Sequence, residues 1–398
     1  MFFSFFPYAA LGLGANTSIS VSAILGIAAW IVGPRHPRLD AITISLALIP
    51  LAANAIATVL FSVTFPPTGV LTWIGVIGNF LTGTLGVLSL HTDFSRLLAW
   101  LVIGTSLFGG LQMIAIRAGY IPFVTLYRAP GYASVENNST AILNYIQRPF
   151  AQFPEPSFMA GTLLLAITLM VLVARCLRGS LSRWEWTAVV AGGAIITASE
   201  SGSAIAGLGL VAGVIITSAT KSLRNQITAL LFITAACVTA TWVFGQRSSP
   251  LDFSWSDRFG SILAGLNYWS DEPSRLVFGT GRGGMAAAFR AGDVGLIEFA
   301  FVQQPLDVFS AQFRILFEFG LLAGGFVLLG LLLIVGSVSR WTRPVTAAFA
   351  LALWVLIGAL TISYDSAAWV WAFAGGCLGL LTLARRQSPK SVGGRERR

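Results

Sequence analysis

Long apolar stretches recur along the whole chain, separated by short segments that hold most of the charged residues. A helix needs about 20 apolar residues to cross a hydrocarbon core of roughly 30 Å. The stretches are continuously apolar, unlike the alternating segments of about ten residues found in membrane β-barrels. The pattern therefore predicts an all-α fold, a polytopic bundle of transmembrane helices. Eleven spans are predicted, at about residues 10–33, 40–62, 68–90, 95–118, 157–176, 185–200, 203–219, 225–245, 309–337, 344–363 and 367–384.

The basic residues fall on alternate loops of these spans. Because cytoplasmic loops are enriched in Lys and Arg, the side with sixteen of the 25 basic residues is predicted to be cytoplasmic. That places the N-terminus outside and the C-terminus inside. The inner set consists of Arg35, Arg38, Arg96, Arg175, Arg178, Arg183, Lys221, Arg224, Arg340, Arg343, Arg385, Arg386, Lys390, Arg395, Arg397 and Arg398.

Two long segments remain on the outer side, at about 119–156 and 246–308. Loops beyond about 15 residues are uncommon as simple connections and are often functional. The second of these segments is predicted to be a large outer (periplasmic) loop between the eighth and ninth helices. The chain is read as one membrane domain, residues 1–384, followed by a basic cytoplasmic tail, residues 385–398.

Composition supports a membrane domain and argues against other classes. Only 10% of the 398 residues are charged, against about a quarter in a soluble domain. The net charge of +9 does not indicate nucleic-acid binding, because it comes from loops and the tail. None of the three cysteines belongs to a CxxC pair, so neither a disulfide framework nor a metal site is predicted. We expect no cofactor.

Arginine is the only basic residue type on the predicted outer side. Its planar guanidinium can donate two parallel hydrogen bonds to phosphate oxygens, as lysine cannot. The set indicates either an outer site for a diphosphate or ordinary ion pairing with outer acids. It comprises Arg117, Arg128, Arg148, Arg247, Arg258, Arg275, Arg282, Arg290 and Arg314.

Several short motifs contain candidate site residues. Residues 148–157 read RPFAQFPEPS, in which Glu155 is either a helix cap or an acid for chemistry. Gly279 and Gly281 lie in FGTGRGG, whose backbone amides are predicted to be able to cradle an anion. Glu200 lies in a serine-rich break between two apolar stretches and is predicted to border a polar cavity or the membrane interface.

Arg314 and Glu318 are four residues apart in FRILFEFGLLAGG. This spacing puts the two side chains on one face of a helix. At the outer end of the ninth span they are expected to pair with each other or to line a cavity. Both histidines, His36 and His91, fall on the predicted cytoplasmic side, so the outer side has no histidine to act as a base.

Taken in order, these motifs resemble those of the O-antigen polymerase and ligase-like superfamily of bacterial polysaccharide assembly. The matching features are the stretch from Arg148 to Ser157, the small-residue turn Ser199–Gly202, an arginine (Arg258) followed by G-x-G in a large outer loop, and an E-x-G-L-x-x-G helix start at Glu318. Motif resemblance covers about residues 140–330. Two positions depart from the pattern: Phe309 and Ser310 replace a His-Asn-like pair, and Glu200 replaces an arginine.

The resemblance implies a metal-independent membrane glycosyltransferase of the bacterial cytoplasmic (inner) membrane. Such an enzyme would polymerise undecaprenyl-diphosphate-linked repeat units into a surface polysaccharide at the outer face. Arg148, Arg258 and Arg314 would then hold the diphosphate with help from Arg282, Glu155 would orient or deprotonate the acceptor, and Glu318 would hold Arg314. Gly279, Gly281 and Glu200 complete the expected substrate-binding set. Flippase and chain-length regulator proteins are the implied partners.

Two alternatives stay open. The absent outer histidine favours a polymerase over a ligase that transfers lipid-linked glycan to another acceptor, but a ligase is not excluded. A polysaccharide-lipid flippase or transporter is disfavoured, because it would be expected to carry ionisable residues deep in several helices and to show internal symmetry.

Overall fold

The fold is described from a computed structural model of the chain. The structure describes residues 10–14, 17–61, 67–122, 148–153, 155–219, 254–295, 308–360 and 368–387, together with isolated positions elsewhere. Helices dominate this part of the chain. One two-stranded antiparallel hairpin precedes them, formed by β1 (Ala10–Gly14) and β2 (Thr17–Ser20).

Seven helices lie within the described residues up to position 219. They are α1 (Val21–Val32), α2 (Pro37–Phe61), α3 (Pro67–Leu90), α4 (Thr92–Arg117), α5 (Pro156–Arg178), α6 (Arg183–Ala198) and α7 (Gly202–Ala219).

The described residues after position 253 form seven further helices and two irregular turns. They are α8 (Ser254–Ser270), α9 (Pro273–Phe278), α10 (Gly284–Ala291), α11 (Ala311–Phe319), a π-helical turn (Gly320–Gly324), α12 (Gly325–Gly336), a 3₁₀ turn (Ser337–Arg340), α13 (Pro344–Leu360) and α14 (Ala368–Gln387).

Within the described ranges, six helical segments are long and apolar enough to cross a membrane. The chain is thus a helical protein of multi-pass membrane type. Shorter apolar helices lie at Val21–Val32, Ser203–Ala219 and Pro344–Ala359. The six segments are Pro37–Val59, Val70–Leu90, Thr92–Arg117, Pro156–Arg178, Ala311–Arg340 and Ala368–Arg385.

The core is built around α5 and around close contacts between α1, α3 and α14. Nearly all of α5 is buried, because α4, α6, α7 and α14 surround it. Glycine lets α3 and α14 approach until a Cβ atom at Gly83 would lie 1.9 Å from the carbonyl oxygen of Ala372. The Thr84 hydroxyl donates to the Gly375 carbonyl across the same contact, at 2.9 Å. Small residues and hydroxyl hydrogen bonds are the usual means by which helices associate within a membrane.

Basic turns lie together at one end of this bundle. The end of α5 and the start of α6 are joined by the ion pair of Arg178 with the fully buried Glu185, next to the start of α4. The Trp341 indole donates to the Leu380 carbonyl, which brings the turn before α13 to the last part of α14. The first residues of α5 and α11 lie at the opposite end, where Gln312 contacts α13 near Gly358.

The structure corrects two of the predicted boundaries. The first predicted span, 10–33, is not one helix: residues 10–14 and 17–20 form the paired strands β1 and β2, because Gly12 and Gly14 disfavour a helix and the β-branched Thr17 and Ile19 favour a strand. The segment 246–308, predicted as a loop, contains α8, α9 and α10. The predicted helix 225–245, much of the segment 119–156 and the tail after residue 387 lie outside the described ranges.

Candidate functional site

Three charged side chains from two distant parts of the chain meet inside the protein. Nη1 of Arg282 lies 3.2 Å from Oε2 of Glu318, and Nε of Arg314 lies 3.2 Å from Oε1 of the same carboxylate. Glu318 is fully buried, and the two arginine side chains are 4% and 8% exposed. The i, i+4 ion pair expected from the sequence is therefore present, with Arg282 as a second partner. We refer to Arg282, Arg314 and Glu318 as the buried triad.

The glycine-rich turn after α9 holds Arg282 in place through backbone contacts with the end of α11. The Thr280 amide donates to the Phe317 carbonyl at 2.9 Å, and the Gly281 amide donates to the Glu318 carbonyl at 3.0 Å. Gly279 and Gly320 have φ values of +83° and +70°, which favour glycine. A Cβ atom on Gly320 would lie 2.3 Å from the Val277 carbonyl oxygen, so the two backbones touch here.

The amides of this turn differ in use from the prediction. The amides of Gly279, Thr280, Gly281 and Gly284 donate to backbone carbonyls, and that of Gly283 donates to the Glu318 carboxylate at 2.9 Å. The anion held by this turn is thus an acid of the chain itself. Gly279 and Gly281 act by shaping the turn around Glu318, because their amides are engaged with the protein rather than directed at an external phosphate.

A π-helical turn follows the triad directly. Residues Gly320–Gly324 form this turn, which begins where the backbone of Gly320 leaves the helical conformation at φ +70° and ψ 179°. Glu318 and Phe319 before the turn are fully buried, whereas Leu321 and Leu322 within it are exposed on the protein surface. Turns of this kind are frequent at functional sites. This one lies between the buried end of α11 and exposed leucines at the start of the next helical segment.

The segment 148–153 lies in front of α5 and is fixed by a residue that the sequence analysis missed. Oε1 of the buried Gln112, on α4, accepts from the amides of Phe150 and Ala151 at 2.9 and 2.7 Å. Its Nε2 donates to the Ala151 carbonyl at 3.1 Å. Ala151 has a φ of +49°, uncommon for a residue with a side chain. The sequence signal that could have found this residue is a single polar amide, Gln112, within a long apolar stretch.

Glu155 occupies the N-cap position of α5, but its side chain makes no capping hydrogen bond. Its Oε2 instead accepts from the Ser157 hydroxyl at 3.1 Å, and the helix is started by Pro156. The carboxylate is partly exposed. Of the two predicted roles for Glu155, a helix cap or an acid for chemistry, its side chain does not fill the first.

The other predicted site residues are placed as follows. Arg148 is partly exposed at the start of the Gln112-bound segment, and Glu200 is exposed in the turn between α6 and α7 with a φ of +50°. Arg258 lies in α8, but its side chain is outside the described part of the structure. The structure therefore brings Arg282, Arg314 and Glu318 into direct contact.

Outside the membrane-spanning segments, Glu272 and Arg275 flank the start of α9. The Ser274 hydroxyl and the Arg275 guanidinium both donate to Glu272 and hold the pKa of this carboxyl below its ordinary value. Arg275 also lies over the Tyr268 ring, 4.0 Å from the centroid. These contacts join α8 to α9 and so support the turn that carries Arg282.

No three His, Cys, Asp or Glu side chains in the described ranges are grouped so that they could hold a metal ion. No protein-family model matches the chain, and no curated protein matches its sequence.

Proposed function

We propose that this protein polymerises undecaprenyl-diphosphate-linked oligosaccharide repeat units at the outer face of the bacterial cytoplasmic membrane. The observation that carries the proposal is the buried triad at the end of the bundle away from the basic turns. Two guanidiniums share one buried carboxylate, so these three side chains together carry one net positive charge inside the protein. A group with many phosphate oxygens is the natural further ligand for such a pair.

The proposed reaction is a single glycosyl transfer. A hydroxyl at the sugar end of one lipid-linked repeat unit attacks the anomeric carbon of the glycan on another lipid. A new C–O bond forms, and the bond between the anomeric carbon and the diphosphate oxygen breaks. The lipid diphosphate departs with the electron pair, and the proton of the attacking hydroxyl passes to a carboxylate. The products are a longer lipid-linked glycan and a free lipid diphosphate.

The roles of the residues follow from where charge develops. Negative charge grows on the leaving diphosphate, so preorganised guanidiniums lower the barrier most. We assign this role to Arg314 and Arg282, with Arg148 and Arg258 as further diphosphate contacts. Glu318 orients the first two arginines. Glu155 is the proposed acceptor of the hydroxyl proton, since its partly exposed carboxylate is not used as a cap.

A reconstitution experiment tests this function. Purified protein in nanodiscs is given lipid-linked repeat units, and the products are resolved by length. Longer lipid-linked chains support a polymerase; transfer to a different acceptor would indicate a ligase, and lipid movement without new bonds would indicate a flippase, either of which contradicts the proposal. Arg314→Ala should abolish elongation. Arg96→Ala is the control, because Arg96 forms an exposed pair with Asp93 at the other end of the bundle.

The side of the membrane can be tested independently. Single cysteines at Asp271 and at Arg290, both exposed near the glycine-rich turn, should react with an impermeant maleimide added to whole spheroplasts. A cysteine at Arg96 should react only after lysis. Labelling of the first two positions from the cell interior would overturn the proposal, because the donor would then be out of reach of the triad.

A further inference from the structure

A buried amide on α2 points to a second part of the ligand. The Asn54 side chain is 1% exposed, and neither its Oδ1 nor its Nδ2 has a hydrogen-bond partner among the described residues. The similarly buried Asn79 on α3 shows the usual situation: its Oδ1 accepts from the Ser22 hydroxyl at 2.6 Å. Buried amides are nearly always hydrogen-bonded, so Asn54 requires an explanation.

Asn54 lies on the buried side of α2, a helix that packs against elements of the candidate site. The buried residues of this largely exposed helix form one stripe, made up of Leu39, Thr43, Pro50, Asn54 and Ala57. Besides α3, the elements that α2 contacts include α9, the π-helical turn and α11. These are the elements that join at Gly279 and Gly320 around Glu318.

The chemistry of the amide indicates which ligand group it suits. Nδ2 donates and Oδ1 accepts, and neither atom has a partner in the ranges that the structure describes. A diphosphate only accepts, so it would satisfy the donor and leave Oδ1 unsatisfied. A sugar hydroxyl or acetamido group both donates and accepts, and can satisfy both atoms. We infer that Asn54 binds the saccharide part of the lipid-linked donor, beside the diphosphate held by the arginines. This inference rests on the proposed function for the identity of the donor.

Binding measurements separate the two parts of the ligand. The probes are undecaprenyl diphosphate and undecaprenyl-diphosphate-N-acetylglucosamine, titrated against the full-length protein in nanodiscs. We expect the wild type to bind the glycosylated lipid more tightly. Asn54→Leu should reduce that preference about tenfold, the effect of one or two lost hydrogen bonds, while affinity for the bare lipid diphosphate is kept. Arg314→Ala should weaken binding of both probes.

Two controls guard against an effect of folding. Asn54→Leu should fold at least as stably as the wild type without ligand, because it replaces an unsatisfied amide by an apolar group of similar size. Asn79→Leu should lower stability, since it removes a satisfied amide, but should keep the preference for the glycosylated probe. In unmodified protein, a photoreactive N-acetylglucosamine lipid should crosslink to the α2 peptide that contains Asn54.

The outcomes are distinct for the inference and for the proposed function. A wild type without preference for the sugar, an unchanged preference in Asn54→Leu, or crosslinks that avoid α2 would each overturn the inference. If the preference depends on Asn54 but the nanodisc assay yields no elongation, the polymerase function fails while the saccharide contact stands.

Discussion

Nη1 of Arg282 lies 3.2 Å from Oε2 of Glu318, although 36 residues separate the two in the chain. This ion pair ties the helices after residue 254 to α11, and Arg314 shares the same carboxylate. Charges are costly away from water, so groups that are retained there are paired and often functional. The pair therefore belongs both to the stability of this end of the bundle and to the proposed chemistry.

Glu318→Gln is predicted to lower both stability and activity. The substitution keeps the side-chain shape but removes the charge that both arginines contact, and breaking a buried pair by changing one partner costs about 3–5 kcal/mol. Thermal unfolding in detergent should show the loss. Glu272→Gln is the matched control, because Glu272 pairs with Arg275 at an exposed position. Equal unfolding temperatures for the two variants would contradict a structural role of the triad.

Gly320→Ala is predicted to prevent correct assembly of the site. Its φ of +70° and ψ of 179° form a combination essentially restricted to glycine, and the added Cβ would meet the Val277 carbonyl oxygen at 2.3 Å. Gly292 offers a milder control: it has a positive φ of +80° in the left-handed helical region, with ψ 11°, and open space around its Cβ position. Gly292→Ala should cost only the conformational strain. Size-exclusion chromatography and unfolding temperatures compare the two, and similar behaviour would argue against a close backbone contact at Gly320.

Gln112→Ala is predicted to release the segment that carries Arg148. The buried amides of Phe150 and Ala151 would lose their acceptor, at about 1–3 kcal/mol for each unsatisfied group. In the polymerisation assay we expect a lower kcat, while affinity for the bare lipid diphosphate changes less. Gln152→Ala is the milder control, because Gln152 makes a single hydrogen bond with Thr105. Wild-type turnover in Gln112→Ala would show that activity does not depend on the hydrogen bonds between Gln112 and the segment 148–153.

The positions of the apolar helices are predicted well, because a long apolar stretch between polar breaks is enough to locate each one. The bounds of α2 to α7 fall close to the predicted spans, since each is a long apolar stretch between charged or proline-containing breaks. Hydropathy does not distinguish a helix from a strand in a short apolar stretch, which is why the hairpin at residues 10–20 was missed. It also overlooks α8 to α10, which are too polar to be spans.

The candidate site was only partly predictable for a different reason. Arg314 and Glu318 lie one helical turn apart, so their spacing gave the pair directly. Arg282 joins them because the backbone at Gly279 contacts the backbone at Gly320, and no local sequence pattern reveals that contact. Gln112 and Asn54 look alike in sequence, each a lone amide in an apolar stretch. Only tertiary contacts show that Gln112 is hydrogen-bonded to the backbone of residues 150 and 151, whereas Asn54 is buried with no hydrogen-bond partner for its side chain in the described part of the chain.

The backbone leaves the helical conformation at Gly320, where φ is +70° and ψ is 179°. The direction of the Glu318 side chain is therefore not inherited from α12 through a continuous helix. It depends on the backbone contact between residues 277–281 and 317–320, in which the Gly281 amide donates to the Glu318 carbonyl. An insertion or deletion in either segment would shift the carboxylate relative to both guanidiniums even if α11 and α12 kept their lengths.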